Sequence, residues 1–266
     1  RAAPPGLPLP PDAPATGAGA GVRRFLSHHR PGSAVVAKCG PPGLLVEEPG
    51  AAFVTVEVTG RPGLAMHRAS MAGGGVPGAA GAALEGLERW RSAFVGRPAL
   101  PGSQAGRDAA VGSLTAGLPY KPDIVGGLLQ LHLYVVLAPG DDPHALAREM
   151  EVAVAASLAA AGHDGLAVRA TVAEFVLSAS TSPDAPVARA AAAAYRSVLG
   201  VPPPVQGWTG STDGVLFRAA AVDTVRLGPT PEPAPLGHDT LSFSGLLDWA
   251  HVYAALVLDH CDGGRA

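Results

Sequence analysis

The sequence predicts an α/β protein in two parts, a ferredoxin-like unit inserted into a second, split α/β domain. Between residues 51 and 173, strand patterns and two helical patterns follow one another in the order β-α-β-β-α-β, which is the order of a ferredoxin-like unit. Short strands and alanine-rich helices on both sides are typical of an α/β domain. We therefore predict boundaries at residues 1–50, 51–173 and 174–266, with the first and last segments forming one domain.

The inserted unit is predicted from the spacing of its apolar residues. Its strongest strand signal is the β-branched run at 53–59. A helix is predicted over 79–94, where apolar side chains recur at helical spacing. The remaining strands and helix are predicted at 111–116, 128–137, 143–158 (the helix) and 166–172.

The flanking segments predict the second domain. Residues 1–20 are mostly Pro, Ala and Gly, so we expect a disordered arm there. A short helix over 23–29 and a buried strand over 34–37 follow, and a Pro/Gly turn comes next. After residue 180, helices are predicted at 186–199, 214–221 and 246–261 and a strand at 223–227, with the character of a parallel sheet.

Composition excludes several functional classes. The net charge is -3, and no basic stripe interleaved with aromatic residues occurs, so nucleic acid is not expected as a partner. No apolar run reaches the roughly 20 residues that a membrane-spanning helix needs. With 47% hydrophobic residues, we expect a soluble, globular protein.

Two features concern location and processing. Cys39 and Cys261 are the only cysteines, too few for a disulfide scaffold, so we expect the reducing cytoplasm. The chain starts at Arg1 without a methionine or a signal-peptide pattern, which leads us to expect further sequence upstream.

Four short segments share one order along the chain. Each contains a turn or loop next to a predicted strand or helix, where functional side chains are commonly placed. The segments are VTVEVTGRPGLAMH at 54–67, GLPYKPD at 117–123, GSTD at 210–213 with VDTVRLGP at 222–229, and GHD at 237–239.

These segments together resemble the di-zinc family of acetylornithine deacetylase, succinyl-diaminopimelate desuccinylase, aminoacylase and bacterial glutamate carboxypeptidase, and the match covers roughly residues 33 to 262. The resemblance implies a catalytic-type α/β domain, and it implies that the inserted unit is a lid that also mediates dimerisation. It also implies zinc-dependent hydrolysis of an N-acyl or peptide amide in a small amino-acid substrate. Lids in this family pair edge to edge, so we expect a homodimer through residues 53–59 or through the lid helices.

The resemblance assigns roles to particular residues. His67 corresponds to the lid histidine that donates to the developing oxyanion, and His238 to the last zinc ligand. Cys39 is a weaker candidate ligand, because Lys38 beside it opposes a dication. The turn formed by Gly210, Ser211, Thr212 and Asp213 is expected to cap a helix and to offer backbone N–H groups to a substrate carboxylate.

The chain also departs from the family pattern. It lacks the His-x-Asp strand end, and DAPATG at 12–17 stands where the Glu-Glu pair is expected. Val136 replaces the lid arginine, and the adjacent Glu47 and Glu48 are predicted to lie in a solvated turn. Two alternatives to an active hydrolase therefore stay open: a non-catalytic relative that binds a ligand or partner, and a structural module unrelated to hydrolysis.

Overall fold

The computed structural model describes residues 19–71, 74–101, 103–207, 210–231 and 240–262. Its strands are β1 Ser33–Ala37, β2 Leu44–Glu48, β3 Gly50–Thr59, β4 Gly63–Leu64, β5 Asp108–Ala116, β6 Ile124–Val125, β7 Leu128–Leu137, β8 Ala167–Val176, β9 Ala179–Ser180, β10 Val205–Gly207 and β11 Asp223–Leu227. Its helices are α1 Ala20–His28, α2 Ala80–Val95, α3 Pro143–Ala160, α4 Pro186–Leu199, α5 Gly214–Ala219 and α6 Phe243–Asp262. Among these residues, no helix combines the length and the apolar character that crossing a membrane requires.

The mixed α/β class predicted from the sequence is confirmed. The predicted bounds 128–137, 186–199 and 223–227 coincide with β7, α4 and β11. The other predicted helices and strands differ from the observed ones by a few residues at their ends. Strand β2 is the one substantial element of the described chain that the sequence pattern did not predict, and it carries Glu48.

The inserted unit is a four-stranded antiparallel sheet in the order β5-β7-β3-β8. Helices α2 and α3 pack against each other and against one face of this sheet. Alternate side chains of β3 and β7, such as Val56 and Leu131, are buried beneath the helices. The edges of the sheet are β5 and β8, so the expectation that residues 53–59 pair with a second lid is wrong, because β3 already has a neighbour on each side.

The second sheet has the order β1-β11-β2-β10, with β9 paired to β2. Pairing is parallel between β1 and β11 and between β10 and β2, but antiparallel between β11 and β2. The sheet is therefore mixed rather than parallel. Helices α4 and α6 pack together over its core, which contains Leu44, Val225, Leu227 and Trp249.

A two-stranded ribbon joins the two sheets. Only Pro49 separates β2 from β3, and only residues 177–178 separate β8 from β9. The two segments of the ribbon stay paired across the junction, because Glu48 faces Ala179 on one side and Ala51 faces Val176 on the other. The Ser178 hydroxyl also donates to the Glu48 carbonyl oxygen over 3.0 Å. The relative position of the sheets is thus fixed by a continuous ladder and not by a loose linker.

Phe94 closes the core of the inserted unit at the end of α2. Its side chain is fully buried and stacks on Trp90 with ring centroids 5.1 Å apart. We expect Phe94→Ala to lower the free energy of unfolding by about 3–5 kcal/mol, because the substitution removes buried apolar surface and leaves a cavity. Urea unfolding followed by far-UV circular dichroism measures this change.

The matched control is Val95→Ala, one residue along the same helix, where the side chain is 42% exposed. Its effect should stay within about 0.5 kcal/mol. Equal effects of the two substitutions would contradict the packing described for Phe94.

Candidate functional site

A cleft of about 470 Å³ lies between the two sheets, which is within the size range of small-molecule sites. The inserted sheet supplies one wall, the end of β1 supplies another, and the turn before α5 supplies the third. Its polar and aromatic lining residues are Lys38, Phe53, Tyr134, Glu174, Ser211, Thr212 and Asp213. The cleft therefore contains one cation, two carboxylates and an aromatic pair.

Strand register brings the aromatic pair and one carboxylate together. Phe53 lies opposite Tyr134 on β7 and opposite Glu174 on β8. The two rings have centroids 5.5 Å apart. A register shift in the β3–β8 pairing falls between Phe53 and Val54, and such irregularities commonly re-aim side chains. Partial burial raises the pKa of Tyr134, so its phenol stays protonated and neutral at physiological pH.

Beneath the cleft, the Glu48 carboxylate is fully buried and doubly bound. The Thr212 hydroxyl donates to Glu48 Oε1 over 2.5 Å, and Arg218 Nη1 donates to Glu48 Oε2. The Thr212 hydroxyl also accepts from the Gly214 backbone N–H at 3.0 Å. Glycine is required at position 214 because a Cβ there would collide with the Glu48 carboxylate.

The Arg218 guanidinium reaches further partners in the same core. It donates to the Thr181 hydroxyl over 3.2 Å and to the Thr224 carbonyl oxygen over 2.9 Å. Thr181 in turn accepts from the Thr224 backbone N–H at 2.9 Å. This network joins β2, α5, β11 and the chain after β9 into one polar cluster whose charges compensate each other.

The prediction that Glu47 and Glu48 lie in a solvated turn is wrong, because both belong to β2. Glu48 has the partners just described. Glu47 accepts from the Ser103 hydroxyl and from the Gln104 backbone N–H, each over 2.7 Å. Both carboxylates therefore hold structure together, and neither is poised as a general base.

A second buried guanidinium lies behind the turn after β1. Arg226 is fully buried, and its Nη1 donates to the Pro41 carbonyl oxygen over 3.0 Å. Its guanidinium packs against Gly40, where no Cβ would fit. Burial lowers the pKa of Arg226, and the nearby Glu48 opposes that shift.

The environment of Arg226 includes Tyr253 of α6. Burial raises the pKa of Tyr253 to about 12, so the side chain is a neutral phenol at physiological pH. Its hydroxyl donates to the Leu227 carbonyl oxygen over 2.8 Å. The position next to Cys39 is thus electropositive, with Arg226 behind it and Lys38 beside it.

The zinc expectation was tested against these residues. Over the described ranges, no group of three or more His, Cys, Asp or Glu side chains is arranged to hold a metal ion. The Glu48 carboxylate is already bound by Arg218 and Thr212, and Cys39 lies next to a buried cation. The described residues do not fit a zinc site, because the cations around Cys39 would repel a dication.

Comparison with solved structures identifies the fold. A tripeptidase from Staphylococcus aureus has 14% identity, with a TM-score of 0.63 over 87% of this chain and 58% of that one. Human carnosine dipeptidase 1 has 12% identity, with a TM-score of 0.65 over 90% of this chain and 61% of that one. A hydantoinase/carbamoylase family amidase from Burkholderia ambifaria has 15% identity, with a TM-score of 0.59 over 85% of this chain and 53% of that one.

This chain shares its fold with part of each of these three structures. It spans less than two thirds of the length of these three proteins. No family model matches it, and no curated protein matches it in sequence. At such low identity the likeness describes the fold, and the chemistry has to be argued from this chain's own residues.

The structure brings only some of the predicted site residues together. Ser211, Thr212 and Asp213 line the cleft, while Gly210 lies half-buried at the start of their turn. His67 is exposed on a 3-10 turn, Ala65–Ser70, outside the cleft of its own chain. His238 lies outside the described residues. The roles assigned to His67 and His238 stay predictions.

Sequence reasoning missed the three buried charges beneath and behind the cleft. Glu48, Arg218 and Arg226 have side chains in the protein core, although charged residues are rarely buried unless paired. A signal was present for each arginine, since Arg218 follows an apolar run at 215–217 in a predicted helix and Arg226 lies within a predicted strand. Arg226 in particular alternates with buried Val225 and Leu227 on β11.

We expect Glu48→Gln to lower the free energy of unfolding by about 3–5 kcal/mol, because it leaves the Arg218 guanidinium buried without its counter-charge. The matched control is Glu88→Gln on α2, whose ion pair with Arg91 is largely exposed and worth about 1 kcal/mol or less. Chemical unfolding of both variants measures the difference. If Glu48→Gln were as stable as the control, the buried pair would not hold this core.

The double variant Glu48→Leu with Arg218→Met separates the effect of the two charges on stability from the effect of side-chain volume. Removing both partners leaves no uncompensated charge, so the double variant should be more stable than Glu48→Gln. A double variant less stable than Glu48→Gln would instead assign the stability to the wider hydrogen-bond network.

Proposed function

We propose that this chain is a ligand-binding relative of the peptidase and amidase fold, and that its cleft takes a small zwitterion derived from an amino acid. The observation that carries the proposal is the mixed charge of the cleft lining, where Lys38 and the acids Glu174 and Asp213 surround one cavity. A ligand with one carboxylate and one ammonium group matches this arrangement.

Each part of the cleft suits one part of such a ligand. Lys38 follows β1 on the side of the second domain, where its ammonium group can bind a carboxylate. Asp213 precedes α5, and Glu174, which also forms an ion pair with Arg23 over 3.7 Å, is on β8 of the inserted sheet. Ligand ammonium would be bound by these two acids. The Phe53 and Tyr134 rings offer an apolar surface for the ligand side chain.

Binding without hydrolysis is supported by the partners of the Glu48 carboxylate. A general base has to reach a water molecule, but the Glu48 carboxylate accepts from Arg218 and Thr212 inside the core. Cys39, the weaker candidate zinc ligand, is next to buried Arg226. These contacts favour the non-catalytic alternative for the described residues.

Amide hydrolysis is the second candidate function. It is favoured by the similarity in fold to the tripeptidase, the carnosine dipeptidase and the amidase. It is also favoured by the resemblance of GHD at 237–239 to a zinc-ligand segment. Under this proposal His238 would be a ligand and His67 would donate to the oxyanion in a partner copy.

The homodimer through the lid also remains a proposal. Because β3 is internal, edge-to-edge pairing would have to use β5 or β8. Most side chains of β5 are exposed, which favours that edge over β8.

A reducing, cytoplasmic location fits the two free thiols, Cys39 and Cys261.

Isothermal titration with phenylalanine, N-acetylphenylalanine and phenylalaninamide tests the zwitterion proposal. We expect phenylalanine to bind at least about tenfold more tightly than either analogue, because each analogue lacks one charge. Lys38→Met should weaken phenylalanine binding by about tenfold and leave phenylalaninamide binding unchanged. The control is Lys121→Met, since the chain's other lysine pairs with Asp123 outside the cleft.

Two results would overturn this proposal. One is equal binding of all three compounds, which would mean that the cleft does not recognise charge. The other is an equal loss of phenylalanine binding in both lysine variants, which would place the effect outside the cleft.

Zinc stoichiometry by plasma emission separates the two candidate functions. We expect the purified chain to hold well under one zinc per chain, and His238→Ala to hold the same amount, because the described residues supply no ligand cluster. Two zinc ions per chain, reduced in His238→Ala, would instead support hydrolysis and show that residues outside the described ranges complete the site.

A further inference from the structure

Helix α6 has two apolar faces, and only one of them packs against other residues of the described ranges. Trp249, Val252 and Leu256 are buried in the core beneath α4. On the other side of the helix, six exposed apolar residues recur along its whole length, and we call them the α6 stripe: Phe243, Leu247, Ala250, Ala254, Val257 and Cys261.

The α6 stripe exposes large side chains to an unusual extent. Phe243 is 76% exposed, Leu247 is 46% exposed and Val257 is 59% exposed. Leu246 and Leu258 flank the stripe and are also more than half exposed. Single exposed apolar residues are normal, but a continuous apolar patch of this length usually marks an interaction surface.

The spacing of the α6 stripe points to the kind of partner. Successive members are four, three, four, three and four residues apart, which is the apolar repeat of helices that pack side by side. This spacing reads the same in both directions along the helix. A second copy of α6 running antiparallel would therefore present the same pattern, with complementary positions.

The antiparallel pairing also matches side-chain size. Phe243 would face Cys261 of the second copy, Leu247 would face Val257, and Ala250 would face Ala254. Large side chains therefore meet near both ends, and two small alanines meet at the centre, where they allow the helices to approach closely. Leu246 and Leu258 extend the contact on the flanks.

Charge and area are compatible with this pairing. At 100° per residue, Asp248 and Asp259 lie about 140° or more from the centre of the stripe, so no acidic groups face each other. The face is about 30 Å long. Covering it on two copies would remove on the order of 1,000 Å² from water, which is near the lower limit for a specific interface.

We propose that the α6 stripe is a homodimer interface, in which α6 packs antiparallel against α6 of a second copy of this chain. The interface is separate from the edges of the inserted sheet and from the cleft. It makes no use of the proposed ligand, so it stands or falls independently of the proposed function.

Sedimentation equilibrium of the full chain tests the interface. The unmodified chain should self-associate, and Leu247→Glu or Val257→Lys should each raise the dissociation constant about tenfold or more, because each buries an unpaired charge. Combining both substitutions should restore association, since antiparallel packing places the new carboxylate opposite the new ammonium group of the other copy.

The matched control is Val152→Glu on α3, where the side chain is 70% exposed on a different helix. This variant should associate as the unmodified chain does. An unmodified chain that stays monomeric would overturn the proposal, and so would α6 variants whose association equals that of Val152→Glu. Failure of the double variant to recover would overturn the antiparallel orientation.

Disulfide crosslinking tests the orientation of the two α6 helices with only two substitutions. In a Cys39→Ser background, Phe243→Cys should form a disulfide with Cys261 of the second copy under mild oxidation. The Cys39→Ser chain alone should form no disulfide, because its Cys261 faces Phe243 of the second copy. Tryptic mapping that finds Cys261 joined to Cys261 would show parallel packing and overturn the proposal.

Discussion

The buried ion pair between Glu48 and Arg218 is the interaction on which the geometry of this protein depends. Both side chains are almost completely removed from solvent. Taking two charges out of water is expensive, so the arrangement is stable only if geometry and further hydrogen bonds compensate for the lost hydration. Thr212, Thr181 and the Thr224 carbonyl oxygen provide those bonds. The turn that forms one wall of the cleft is therefore attached directly to the centre of the second sheet.

The same ion pair changes the chemistry available under the cleft. Glu48 accepts hydrogen bonds from inside the protein, and Arg226 adds a second buried cation nearby. A site for paired metal ions needs converging carboxylate, imidazole or thiolate groups. Here the described groups instead form a core with two buried arginines, one of them paired with Glu48, and the cleft lies above it. Recognition of a charged small molecule fits this distribution better than activation of water.

The sequence contained most of the fold but little of the site. Residues 128–137 alternate or cluster apolar side chains at strand spacing, and β7 forms where that pattern predicts it. Strand β2 was missed because its two adjacent acids and the proline after them look like a turn. Glu48 is buried only because Arg218 lies 170 residues further along the chain, and no local pattern encodes such a distant partner.

The error in the dimer edge has a related cause. Residues 53–59 give the strongest strand signal because they belong to β3, which is flanked on both sides and contributes its alternate residues to the core. Strong β-propensity describes a well-packed position rather than a free edge. The signal identified the centre of the sheet, and the edge strand β5 gave a weaker one because most of its side chains are in solvent.

The paired ribbon around Pro49 sets how the cleft walls can move. Two adjacent chains tied by hydrogen bonds resist sliding past each other, and the proline ring fixes one backbone angle in the shorter of them. The two walls can still rotate slightly relative to each other as rigid bodies, because the ribbon between them can bend or twist. We therefore expect any opening of the cleft to be a small rotation, and ligands to be selected by their fit to a nearly preformed gap.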